Sequence, residues 1–131
     1  MKLLSEEWFK KHKELLEAEF SQETRLNVEL TEVYENCYGE EGKTIWIYYS
    51  MKNGMLDRME RGEGDENIPE STFRCFGDYK NYVSVVKGQL DPRTGIMTGK
   101  FTLEGNFMKA MSMLGTYMKT SECKKVPGVE F

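Results

Sequence analysis

The chain has 131 residues, enough for one domain with one core and too few for two. Charged residues make up 31% of it and hydrophobic ones 39%, with 22 acidic against 18 basic side chains and a net charge of −4. Its lysines are scattered, adjacent only at Lys10-Lys11 and Lys124-Lys125, so a nucleic-acid partner is excluded and an anionic membrane is left at most transient contact.

In chain order, Ser5-Glu6-Glu7 reads as a helix start, with Ser5 as N-cap and two acids facing the positive end of the dipole. Trp8, Phe9, His12, Leu15, Leu16 and Phe20 follow at helical spacing and predict an amphipathic helix to about residue 20. Leu26, Val28 and Leu30 then alternate with Asn27, Glu29 and Thr31, the two-residue period of a half-buried strand, which Val33 and Tyr34 extend past a bulge. A turn at Gly39-Glu40-Glu41-Gly42 leads into Thr44-Ile45-Trp46-Ile47-Tyr48-Tyr49, by composition the strongest strand. Asn53-Gly54 is a two-residue hairpin signal, returning as a strand over 56–61.

The polar stretch 62–67 reads as a loop, and Thr72-Phe73-Arg74-Cys75-Phe76 as a fourth strand ending at Gly77. Asp78 caps a helix carrying Tyr79, Tyr82, Val83 and Val86, and Gly88 sits where the helix end wants positive φ. A loop holding Asp91-Pro92 and Thr94-Gly95 precedes a fifth strand, Lys100-Phe101-Thr102-Leu103. Asn106 then caps a last helix over 107–119. The order predicts a single α+β domain over residues 1–131, a five-stranded, mostly antiparallel sheet with helices on one face.

The last helix is the sharpest physical clue. Phe107, Met108, Met111, Leu114, Gly115 and Met118 share one broad face, widened by Ala110, Met113 and Tyr117, and only Lys109, Ser112, Thr116 and Lys119 form a polar stripe. A helix apolar around most of its circumference must be covered on two sides. On composition alone it is a core helix beneath the sheet. Its four methionines suit a wall that repacks around variable ligands, whereas a purely structural core prefers leucine and isoleucine.

Chemistry finds little support. His12 is the only histidine and falls on the apolar stripe of the first helix, where a packed or rim role is expected. No Cys-x-x-Cys occurs, Gly62-x-Gly64 lacks the third glycine of a dinucleotide loop, and no phosphate loop is present. The carboxylates Asp57, Glu60, Glu63, Asp65 and Glu66 read as a solvated acidic stretch without calcium-loop spacing. Cys75 is expected to be buried and inert. Neither cofactor nor metal is expected. Cys37, Cys75 and Cys123 lie far apart and are odd in number, no signal peptide or membrane span is read, and Val129-Glu130-Phe131 is not a peroxisomal address, so the cytoplasm is the expected compartment.

The segment Gly88-Gln89-Leu90-Asp91-Pro92, then Met97-Thr98-Gly99-Lys100-Phe101-Thr102-Leu103-Glu104-Gly105-Asn106, together with the Lys52-Asn53-Gly54 hairpin, the opening helix and the five strands, resembles the sterol-carrier-protein-2-like family. That resemblance implies non-enzymatic binding and transfer of an apolar lipid (a fatty acid, fatty acyl-CoA or sterol-like molecule) in an internal cavity. It also shifts the last helix from plain core to cavity wall. The expected lining is Tyr82, Val83 and Val86 from the middle helix, Ile45, Ile47, Phe73, Cys75, Phe101 and Leu103 from the sheet, and Met108, Met111, Leu114 and Met118 from the last helix. Strict alternation then points Trp46 and Tyr48 away from the helices, a candidate homodimer surface.

Two rivals stand beside this reading. A cone-shaped α+β enzyme of the nuclear-transport-factor-2-like type would need a buried Asp or Glu among apolar neighbours, and the expected inward residues are all uncharged. An accessory interaction domain would use the open sheet face.

Overall fold

The computed structural model describes residues 1–20 and 27–131, without the side chain of Phe107. Leu26, expected in the first strand, and the Phe107 side chain, expected on the last helix's apolar face, lie outside the described residues. The elements are α1 (Glu6–Glu19), β1 (Val28–Glu35), β2 (Ile45–Lys52), β3 (Met55–Glu63), β4 (Phe73–Asp78), α2 (Tyr79–Val86), α3 (Pro92–Met97), β5 (Phe101–Glu104), α4 (Phe107–Ser112) and α5 (Leu114–Glu122). One five-stranded sheet has the order β3-β2-β1-β4-β5. Only β1 and β4 pair in parallel; the other neighbours are antiparallel, as expected for this α+β chain.

Local chemistry accounts for the boundaries. The Ser5 side chain accepts from the Trp8 amide, and Asp78 does the same for the Lys80 amide. Asn53 and Gly54 adopt φ of 53° and 79°, the pair of left-handed conformations that matches a tight hairpin to the strand twist. Along α1, Trp8, His12 and Leu16 recur every fourth residue and form its buried stripe.

Three expectations need correction. β1 carries no bulge: Val28, Leu30, Glu32 and Tyr34 lie opposite Met51, Tyr49, Ile47 and Ile45 in one unbroken register. Alternation therefore continues through Glu32 and carries its carboxylate into the core. The loop holding Asp91-Pro92 contains a short helix instead, because Asp91 caps the Arg93 amide and Pro92 starts α3 with φ already set. The last helix is broken at Met113, at φ −108° and ψ 14°, into α4 and α5. A segment that is apolar nearly all round gives no phase from which such a break could be read.

The helices pack on one face of the sheet over a core that includes Trp8, Leu16, Leu30, Ile47, Phe73, Tyr82 and Tyr117. On the other face Trp46 and Tyr48 do point away from the helices, but they are only 9% and 3% exposed. Val33, Ile68 and Phe76 pack with them, so the open sheet face expected there is covered in part by the β3–β4 connection.

The Phe101 ring lies directly against Gly77 and Gly95 and packs on Tyr82, with ring centroids 4.7 Å apart. A methyl group at position 77 would overlap Phe101 and press on Tyr82. Gly77→Ala is therefore expected to cost about 1–3 kcal/mol of stability by overpacking. An unchanged urea midpoint would mean that the ring has room to retreat.

Candidate functional site

Between the sheet and the segment from α3 to α5 lies a small, partly open apolar space. Leu30, Phe73 and Cys75 line it from the sheet centre, Ile96 and Leu103 from α3 and β5, and Ala110, Met113, Leu114 and Tyr117 from the broken helix. Its volume is about 30 Å³, room for roughly one water molecule. Phe73, Met113 and Tyr117 fill what was expected to be a lipid-sized hollow.

Of the thirteen residues expected to line a cavity, Phe73, Cys75, Leu103 and Leu114 meet at this space. Ile45 and Ile47 are fully buried in the core and do not line it. Tyr82 is buried between Tyr34 and Phe101, with ring centroids 3.9 and 4.7 Å away, and donates to the Cys75 carbonyl at 2.8 Å. Phe101 and Val86 are buried in the core, and Val83 is half-buried against it. Met118 borders grooves on the outer side of α5. Met108 and Met111 are exposed. Leu30, Ile96, Ala110, Met113 and Tyr117 were missed, the last four because α3 and the helix break set their directions.

Behind the floor of this space sits a buried polar cluster that periodicity alone does not announce. Glu32 is wholly buried, and its carboxylate faces four polar groups. Tyr34 and Tyr49 hydroxyls reach Oε1 at 3.2 and 2.9 Å, and the Tyr117 hydroxyl reaches Oε2 at 3.1 Å. The Lys124 ammonium, 1% exposed, lies 2.9 Å from Oε2. This contact is an ion pair without the alignment of a hydrogen bond, and the ammonium has no other hydrogen-bond partner among the described residues. The cluster neutralises Glu32 and surrounds both of its oxygens with partners.

The C-terminal segment that delivers Lys124 is held by α1. Trp8 Nε1 donates to the Lys124 carbonyl at 3.1 Å, and His12 Nδ1 lies 2.7 Å from the Cys123 carbonyl. A carbonyl only accepts, so Nδ1 carries the proton, leaving Nε2 as the acceptor facing the Tyr49 hydroxyl at 2.9 Å. Tyr49 thus has one proton for two acceptors, His12 and Glu32. A second proton on His12 would satisfy both contacts, but burial and then the Lys124 ammonium push the imidazole down to about 3. His12 is a packed histidine, stacked on Trp8 with centroids 4.7 Å apart.

The inward face was expected to be uncharged, and Glu32 overturns that. It is nevertheless not placed as a general base, since it does not line the apolar space and its oxygens are taken. Burial and Glu32 push the Cys75 thiol up to about 11, which leaves it a poor nucleophile. Burial above all raises Tyr34, Tyr49, Tyr82 and Tyr117 well beyond the ordinary phenol range. Among the described residues no three His, Cys, Asp or Glu side chains gather as a metal site would need, and no helix is long and apolar enough to cross a membrane.

A mixed five-stranded sheet with helices on one face, the last of them segmented, defines a two-layer α+β domain. The sequence profile of the SCP-2 sterol transfer family matches residues 13–116, and the chain belongs to that family of lipid-transfer domains. No curated protein matches it in sequence. Among solved structures it is similar to a crystal structure of sterol carrier protein 2, with TM-score 0.77, 15% identity and coverage of 95% of this chain and 98% of that one. A protein of Thermus thermophilus, described as possibly sterol carrier protein, gives TM-score 0.74 and 16% identity over 95% of this chain and 89% of that one. A palmitated SCP2L2 from Aedes aegypti gives TM-score 0.53 and 10% identity over 84% and 89%. At these identities the likeness is one of fold.

Proposed function

We propose that this protein binds an apolar lipid, a fatty acid, fatty acyl-CoA or sterol-like molecule, between the sheet and the α3–α5 wall, and hands it on chemically unchanged. The observation that carries the reading is the small apolar space set against a broken, methionine-bearing helix in a chain of the SCP-2 family. The palmitated state of the Aedes aegypti relative is consistent with an acyl chain as cargo. Pockets for drug-sized ligands span roughly 300–1,000 Å³, so the present space must grow about tenfold on loading.

The outer wall is built for that. α4 has six residues and ends at the Met113 break, and the flexible Met113 side chain itself fills the space. Displacing α4 and Met113 outward exchanges protein packing for ligand packing. Each buried methylene of the ligand contributes roughly 0.8 kcal/mol, so an acyl chain can drive the opening with little polar recognition. No chemical step is assigned, because Glu32, the one carboxylate buried among the described residues, is paired with Lys124 away from the lining. We take the cytoplasm as the compartment, a reading supported by three free thiols.

Ala110→Phe is the sharp test, because Ala110 lines the space and is nearly buried, whereas Met111 is half out. It is expected to weaken uptake of a fluorescent polyene fatty acid and of a fluorescent sterol by about tenfold or more. Lys11→Glu, on the solvent side of α1, is expected to bind both as the parent does. If the parent takes up neither probe and organic extraction of the purified protein yields no lipid, the carrier reading fails. If Ala110→Phe binds normally, the lipid lies elsewhere.

A further inference from the structure

A second apolar space, of about 10 Å³, lies beside the first. Val28, Tyr49 and Met51 line it from the sheet, and Leu16 and Thr120 close it from α1 and α5. Leu30, Met113 and Tyr117 line both spaces, so these three side chains form the septum between them. Two of the three are anchored. Leu30 stands in mid-sheet between Phe73 and Tyr49, and the Tyr117 hydroxyl is held by Glu32 at 3.1 Å. Met113 sits at the helix break with an unbranched, flexible side chain, which makes it the movable member.

The strand register gives the joined space a direction. Leu103 lies opposite Cys75, Phe73 and Tyr49 flank Leu30, and Met51 lies opposite Val28. Cys75 to Phe73 is two residues back along β4, and Leu30 to Val28 is two residues back along β1. The path therefore crosses the sheet diagonally from β5 to β2, over three strand spacings and two pleat repeats, about 20 Å in all. That shape suits one extended chain. The far space also offers little to a polar group, since Tyr49 and Tyr117 direct their hydroxyls to Glu32 and Thr120 donates to the Thr116 carbonyl at 3.1 Å.

We propose that Met113 is a gate between two compartments of one acyl-chain site, and that the far compartment, ending at Val28 and Met51, sets the length of chain the protein accepts. The inference rests on the carrier reading and goes beyond it by giving the hydrocarbon tail a path and a stop. A short chain occupies the near space alone. A longer one passes Met113 and places its methyl end between Val28 and Met51, and each further buried methylene adds affinity until that end is reached.

Titration calorimetry of the full chain with saturated fatty acids, from decanoic to octadecanoic, tests it. For the parent, affinity is expected to rise by up to about fourfold per methylene and then to level off once the far space is filled. Val28→Phe fills the far end and is expected to weaken hexadecanoic acid about tenfold or more, with decanoic acid bound as before. That unchanged binding also shows the variant to be folded. Should Val28→Phe fail to fold, Val28→Ala carries the same test, its preferred length moving toward longer acids. Met113→Ala should widen the preference for hexadecanoic over decanoic acid, because no gate remains to be displaced. Affinity that does not vary with chain length in the parent overturns the proposal. So does equal loss of both acids in a folded Val28→Phe, an unshifted preference in Val28→Ala, or an unchanged one in Met113→Ala. Those results leave the carrier reading standing, whereas a parent that binds no acid of any length sinks both.

Discussion

Glu32→Ala is expected to destabilise the protein by about 3–5 kcal/mol, a large share of the roughly 5–15 kcal/mol that holds a domain together. The substitution strands the Lys124 ammonium, 1% exposed, with no counter-charge, and takes the acceptor from the Tyr34, Tyr49 and Tyr117 hydroxyls. Removing both charges is a different experiment. Glu32→Leu/Lys124→Met leaves no unpaired ion, so it is expected to recover more than half of the loss even though the hydroxyls remain unsatisfied. Urea unfolding of the parent, Glu32→Leu, Lys124→Met and the double variant gives the coupling directly. A cost below about 1 kcal/mol for Glu32→Ala would show that water reaches the site and that the pair behaves as a surface one.

Acid is expected to unfold the protein through His12. The imidazole is held down to about 3 in the folded state, against 6.5 when unperturbed. Below pH 6.5 the unfolded chain takes up a proton that the folded one refuses, so the stability held above that pH is lost progressively as pH falls towards 3. Over the whole interval the loss approaches roughly 5 kcal/mol, at about 1.4 kcal/mol per pH unit. Other groups also titrate in this range, so the informative quantity is the difference between the parent and His12→Gln. The variant's stability is expected to fall less steeply across this window. Parallel curves would mean that His12 charges freely in the folded protein.

The cluster bears on function through its position. It fixes Tyr117, a wall residue of the apolar space, by way of Glu32, and it ties α1 to the C-terminal segment through Cys123 and Lys124. One side of the space is therefore rigid and polar behind its lining. The opposite side is made of short helices, a four-residue strand and methionine. Opening on the outer side costs no buried ion pair; opening on the inner side would break one.

Most of the architecture was legible because it depends on local chemistry. Ser5, Asp78 and Asn106 accept from helix amides as their positions suggested, and Asn53-Gly54 makes the hairpin turn. The alternation from Val28 onward marks β1, but a bulge expected before Val33 interrupts it and leaves Glu32 without a face, where the register in fact runs unbroken. The signal against the bulge was already there: Glu32 keeps the phase of Leu30 and Tyr34. The partners of Glu32 had no such signal, since Tyr117 and Lys124 lie far along the chain in the closing segment.

The sequence by itself determined the caps, the turns, the two periodicities and the family-like order of elements, because each follows from the conformational preferences of a few neighbouring residues. Only the tertiary structure decided which side chains meet. The break at Met113 directs Met113 and Tyr117 inward and leaves Met108 and Met111 outside, and the docking of the C-terminal segment on α1 buries Lys124 against Glu32. Both outcomes come from packing between segments distant in the chain, where no local preference operates and the cost of an unpaired charge is settled only once its partner arrives.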